Sequence, residues 1–216
     1  MKASITIPNH LSEITLKQYQ DFVKIKSEDE YLLQCKMIEI FCNVPYKDVL
    51  TIKLSDAEEI TSTLNGMFED KPKLVQSFKM NGKNYGFHPD LQDMTLGEYI
   101  DVDTFIGDWE NIHTAMNVLY RPIKQRSGGK YLIEDYNTDT KEQMLDMPLE
   151  AVISSVFFLF HLGMDLSLLV TNRYLAEGEA EKQPQSQQGS DKSGDGLAQY
   201  TNSLKEILQD LKISLN

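Results

Sequence analysis

"LVQSFKMNGKNYGF", residues 74–87, departs from the pattern of the chain around it. Two short runs alternate apolar and polar residues, the period of a strand, and Asn81-Gly82 separates them. A type I′ turn needs positive φ at both central residues, and Asn-Gly meets that need with little strain. The stretch therefore predicts a β-hairpin near residues 74–88. A lone hairpin is marginally stable in water, so it is expected to lie on helices or on a partner's sheet edge.

Upstream of the hairpin the period is helical. "EITLKQYQDF", residues 13–22, reads acid, apolar, Thr, Leu, two residues, Tyr, and "DMTLGEYIDV", residues 93–102, repeats that order. In the first, Thr15 and Gln18 form a capping box, with Ile14 and Tyr19 at the two positions of a hydrophobic staple. In the second the same parts are Thr95, Glu98, Met94 and Tyr99. The echo is read as one helix start used twice, since the similarity fades after about ten residues.

From Leu16 the first helix is expected to reach about Lys26, with Tyr19, Phe22, Val23 and Lys26 on one stripe. Ser27 is placed to cap a second helix that turns Tyr31, Leu32, Cys35, Ile38, Phe41 and Cys42 toward a core. Pro45 interrupts it, because the residue before proline is forced out of the helical region. Ser55 and Glu58 read as a third capping box, opening a helix through Leu64 and Phe68.

Downstream, the helix from Leu96 ends at Gly107. Asp108 is expected to cap "WENIHTAMNVLY", which stops at Arg121-Pro122. "QRSGGKY" reads as a mobile loop and "LIEDYNTDTKEQML" as a polar connection with a short helix. Leu149 to about Val170 forms a long apolar helix. Its length suits a bilayer, but His161 and Asp165 fall inside it and Glu150 flanks it, so a buried central helix is expected and no membrane partner.

"EGEAEKQPQSQQGSDKSGDG" then carries no aromatic residue and no aliphatic residue larger than Ala. Such a segment cannot bury enough surface to offset its ordering entropy. Residues 176–197 are therefore expected to be a flexible acidic linker. Helical period returns over residues 198–216, with Leu204, Ile207, Leu208, Leu211 and Leu215 on one face. An amphipathic helix on a tether is a peptide suited to a groove, and these five residues are the candidate partner-binding set. The partner is expected to be another protein or a neighbouring copy, with an intramolecular lid as the other reading. The fold class predicted is mainly α: a compact helical domain over residues 1–175 with one β-hairpin, then linker and docking helix.

The chemistry is sparse. A net charge of −12 argues against a nucleic-acid partner, which normally requires a clustered basic face. The start "MKASITIPNH" lacks the apolar core of a signal peptide, so a mature chain beginning there is expected. Cys35 and Cys42 lie too far apart along a helix for a disulfide, and read as small buried residues of a reducing compartment. His10, His88, His113 and His161 form no zinc-binding spacing. His161 and Asp165 could pair as two parts of a catalytic triad, but no motif supplies a nucleophile, and a satisfied core histidine is the preferred reading.

Asp101 and Asp103 begin like a calcium loop, yet Phe105 and Ile106 stand where a ligand and a glycine are needed. Asp191, Ser193, Asp195 and Gly196 fit such a loop better, but its last ligand position holds Asn202 rather than Glu. No metal, cofactor or catalytic residue is therefore expected. Tyr99, Trp109, Tyr120, Tyr131 and Tyr136 gather in the middle third, as anchors of a core or of an interface.

"DMTLGEYIDVDTFIGDWENIHTAMNVLYRPI", "KYLIEDY" and "PLEAVISSVFFLFHLGMDL", with the earlier "ITLKQYQDF" and "KMIEIFCNVPYKDV", resemble helical proteins from the structural gene clusters of tailed bacteriophages. The likeness spans about residues 13–172 and is to tail assembly chaperones, of crAss-like or other Bacteroides phages. It implies a non-enzymatic protein that acts in the host cytoplasm during assembly. Its partners would be phage tail or neck proteins, the tape-measure protein among them. The alternative it implies is a multi-copy virion component, self-associating as a head–tail connector or tail-barrel ring, or an ejected cargo protein.

Overall fold

The computed structural model describes residues 5–69 and 72–180. The chain divides into two compact units, residues 1–154 and 155–216. The first holds α1 (Leu16–Val23), α2 (Glu30–Phe41), α3 (Tyr46–Val49) and α4 (Leu54–Gly66). It continues with β1 (Ser77–Met80), β2 (Lys83–Phe87), α5 (Leu96–Phe105), α6 (Ile112–Leu119), β3 (Tyr120–Ser127) and β4 (Lys130–Ile133). Helix α7 (Leu149–Ala180) begins in the first unit, and its remainder makes up the described part of the second. No described helix is long and apolar enough to cross a membrane. Residues 181–216, which include most of the expected linker and all of the expected docking helix, lie outside the described residues.

The mainly α, one-hairpin reading is corrected. Four strands form one antiparallel sheet in the order β1-β2-β3-β4, so the fold mixes helices with a sheet and is not all-α. The β1–β2 hairpin turns at Asn81 and Gly82, with φ of 49° and 78°. The overlooked hairpin uses the same device. Gly128 and Gly129, at φ 56° and 80°, join β3 to β4 where the sequence suggested a mobile loop. Pro122 misled the reading: it lies inside β3 opposite Tyr85, and its carbonyl accepts from Glu134 N–H at 2.8 Å. Beyond Lys124 the strand is exposed, so it lacks the apolar alternation that marks a half-buried strand.

Tyr120 marks the switch from helix to strand. It ends α6, begins β3 and is fully buried. Its ring lies 5.2 Å from both Phe78 and Phe87, and its hydroxyl donates to the carbonyl of Val75 at 2.8 Å. Burial pushes the phenol well above its ordinary value, so it remains a donor.

The helical part packs by aromatic contacts. Phe41 meets Phe22 at 5.2 Å and Phe68 at 6.1 Å, while Tyr19 meets Trp109 edge-on at 5.0 Å. Two of the three expected capping boxes are present, at Thr15–Gln18 and Thr95–Glu98, and the third, at Ser55–Glu58, is not. Other helix starts differ from expectation. Asp29, not Ser27, caps α2, and α4 begins at Leu54 with no side-chain cap, leaving Ser55 inside the helix. Asp108 folds a turn by accepting from Glu110 N–H at 3.0 Å, and α6 starts later, at Ile112. Helix α2 stops at Phe41, and Asn43 just beyond its C-cap, at φ 51°, turns the chain away before Pro45 acts.

Residues 14–16 and 147–149 are tied by two backbone bonds, Leu16 N–H to Met147 O at 2.9 Å and Leu149 N–H to Ile14 O at 2.8 Å. They satisfy free N–H groups at the starts of α1 and α7 together.

Gly86 on β2 tests the sheet packing. A Cβ there would stand 2.5 Å from Cε2 of Tyr131, whose hydroxyl is held by the Phe87 carbonyl at 2.8 Å. Gly86→Ala is expected to lower stability by about 1–3 kcal/mol through overpacking, read from urea unfolding. An unchanged midpoint would mean that the Tyr131 ring is free to leave.

Candidate functional site

A buried polar cluster joins Glu98, Arg121 and His88, from α5, the start of β3 and the position just after β2. Thr95 opens α5 because its hydroxyl accepts Glu98 N–H at 3.3 Å while Glu98 Oε2 accepts Thr95 N–H at 2.7 Å. The other carboxylate oxygen, Oε1, lies 2.8 Å from Arg121 Nη1. Both side chains are buried, at 6% and 9% exposure. His88 is buried beside them, and its backbone N–H donates to the Leu119 carbonyl at 2.7 Å.

The three groups tune one another. Burial works to raise the Glu98 pKa, but the hydrogen bonds with Thr95 and the Arg121 guanidinium outweigh it and hold the carboxyl below its ordinary 4.5. Burial first, and then the Arg121 charge, push His88 below its ordinary 6.5. The centre is thus an ionised pair beside a neutral imidazole. Two of its polar atoms, His88 Nδ1 and Arg121 Nε, are buried without a hydrogen-bond partner.

An open cleft of about 510 Å³ lies over this centre, within the usual size range of ligand sites. His88, Glu98 and Arg121 line it, with the exposed carboxylates of Asp93, Glu134 and Asp135 around them. Tyr136 also lines it and donates to Asp101 Oδ2 at 2.6 Å. On another side of α5, Leu96, Tyr99 and Ile100 are 76%, 55% and 51% exposed. Their spacing of three and four residues makes one apolar stripe. Tyr99 is therefore a surface residue, not a buried staple.

The remaining candidates do not converge on a site. Asp101 and Asp103 lie within helix α5, not in a calcium loop. Among the described residues no group of three His, Cys, Asp or Glu side chains could hold a metal ion. Burial raises the Cys42 thiol to about 11, which removes its nucleophilic form at neutral pH. His161 is exposed rather than a core residue, with its ring against Phe157 and Phe160 of its own helix; Asp165 is exposed too. His113 stands 3.7 Å from the exposed Glu142, but burial lowers its pKa, so the contact is weak. Tyr120 is core, Trp109, Tyr131 and Tyr136 are half-buried, and Tyr99 is exposed. Leu204, Ile207, Leu208, Leu211, Leu215 and the segment from Asp191 to Asn202 lie outside the described residues.

Sequence reasoning missed the Glu98–Arg121–His88 centre. The available signal was one basic residue inside the apolar run "NVLYRPI", which calls for a buried counter-charge. No family model matches this chain, and no curated protein or solved structure matches it.

Glu98→Gln is expected to cost about 3–5 kcal/mol in urea unfolding, because the buried guanidinium loses its counter-charge. The wild-type pair contributes fully above pH 4.5 and loses its contribution as pH falls through the lowered folded value of Glu98. That acid-side loss should be shallower in the variant. A separate decline should begin as pH drops below about 6.5, because the unfolded chain then protonates histidines that the fold keeps neutral. His88→Gln should reduce it.

Proposed function

We propose that this protein is a non-enzymatic bacteriophage assembly factor acting through protein–protein contacts, a tail assembly chaperone for the tape-measure or other tail proteins. The observation that carries this reading is the exposed stripe of Leu96, Tyr99 and Ile100 on α5. Contiguous large apolar side chains on a surface helix mark sites that another protein covers. An acidic surface supports the same reading, because a net charge of −12 keeps free copies apart while the stripe is uncovered. The resemblance to tail assembly chaperones supplies the kind of partner.

The alternative, a multi-copy virion component, draws support from the open outer edges of β1 and β4, since order β1-β2-β3-β4 leaves both outer strands unpaired on one side among the described residues. Open edges offer strand pairing between copies.

Two measurements decide. In host lysate expressing phage tail proteins, the wild-type chain should capture the tape-measure protein, and Leu96→Asp with Ile100→Asp should weaken capture at least about tenfold. The exposed positions should leave stability within about 0.5 kcal/mol. Capture unaffected by the double variant would remove the stripe as the binding surface. A gel of purified virions showing the protein at high copy number would remove the chaperone reading.

A further inference from the structure

Helix α7 changes character along its length. Residues 151–157 are all buried, whereas Met164 and Leu168 are 41% and 57% exposed. They stand four residues apart and so share one face, with the exposed Asp165 on its flank. The sequence around them, "LGMDLSLLV" over residues 162–170, is mostly apolar. A helix of that composition is normally covered. Among the described residues Asp165 forms no ion pair.

The chain carries a complement to this face in its own last residues. Leu204, Ile207, Leu208, Leu211 and Leu215 recur at helical period. Leu204-Lys205 with Leu208, and Leu211-Lys212 with Leu215, repeat the order of Met164-Asp165 with Leu168: apolar, charge, and apolar again at the fourth position on. In each, the charge therefore falls on the same flank of the apolar pair, basic in the tail and acidic on α7. Glu206 and Asp210 fall behind the tail's apolar face. Two right-handed helices that carry their charge on the same flank bring those flanks together when they run antiparallel, and hold them apart when parallel.

Chain length fits the antiparallel arrangement. With Lys212 level with Asp165, residue 198 falls level with residue 179, beside the end of α7 at Ala180. Residues 181–197 join the two, and a flexible linker of that length has a root-mean-square span of about 23 Å. Adjacent helix axes are only about 8–10 Å apart, so the connection reaches without strain. Such a tether holds the tail at an effective concentration in the millimolar range. Separate copies meet at far lower concentration, and a net charge of −12 on each opposes their approach.

We propose that residues 198–216 fold back as an antiparallel helix on the exposed face of α7 in the same chain. Lys212 lies beside Asp165, Leu208 and Leu211 straddle Leu168, and Leu211 and Leu215 straddle Met164. The tail is then a strap on its own helix, and a partner reaches this face of α7 by displacing it. The inference needs neither the α5 stripe nor any tail protein.

Methyl NMR on the full chain tests it. Nuclear Overhauser contacts from Met164 and Leu168 to Leu208 and Leu211 are expected, undiminished when labelled chains are diluted with unlabelled ones. Lys212→Glu should lower amide-exchange protection of residues 204–215 about threefold, and adding Asp165→Lys should restore it. Contacts that fade on dilution would assign the tail to a second copy, and contacts to Leu96 or Ile100 would assign it to α5; either overturns the proposal, as does the absence of contacts. Protection unchanged by Lys212→Glu, or not restored by the charge exchange, overturns the antiparallel pairing.

Discussion

One carboxylate holds two levels of this structure together. Glu98 Oε2 satisfies the free N–H of Thr95 at the start of α5, and Oε1 neutralises Arg121 at the start of β3. The first bond is local and would form in an isolated helix; the second links that helix to the sheet. A buried guanidinium without its counter-charge is costly, so the position of α5 against β3 is narrowly constrained. His88 completes the constraint. Its backbone N–H bonds Leu119, the last residue of α6, and its imidazole is held toward the neutral form by burial first and then by the Arg121 charge.

The same logic of shared partners runs through the rest of the first unit. Residues 14–16 and 147–149 serve each other's helix starts, and Tyr120 turns a helix into a strand while its hydroxyl reaches Val75. Gln20, buried in α1, donates to the carbonyl of Trp109 at 2.8 Å and holds the turn before α6. In each case a polar group that the fold removes from water finds a partner distant in sequence. These links carry specificity more than net energy, since a typical hydrogen bond contributes only about 1 kcal/mol.

What was legible in the sequence is what local chemistry decides. Thr-x-x-Gln and Thr-x-x-Glu disclosed both capping boxes, and Asn81-Gly82 disclosed its hairpin, because backbone needs at those points are met by near neighbours. Gly128-Gly129 carried an equivalent turn signal, but its strands are solvated beyond Lys124 and so lack the alternation that would have announced them. Pro122 was read as a helix stop when it was a strand residue, a local rule applied without knowing what lay opposite. The Glu98–Arg121 pair spans 23 positions and was invisible to any window; only the oddity of a base inside "NVLYRPI" hinted at it. Glu98 had also been accounted for as a cap, which hid its second task.

The first turns of helix α5 invert the usual order of burial, although Val102 further along is buried. Its carboxylate at position 98 faces inward, while Leu96, Tyr99 and Ile100 face water. Buried charges are rare unless paired, and the pairing with Arg121 explains the inward side fully. Nothing within the described residues explains the outward side. A contradiction of local rules that has its compensation inside the molecule is structural; one that lacks it directs attention to what lies outside. The acidic rim obeys the same distinction, because Asp135 has Lys124 while among the described residues neither Asp93 nor Glu134 forms an ion pair. Apolar excess and negative excess thus occur on the same short helix and its neighbouring cleft.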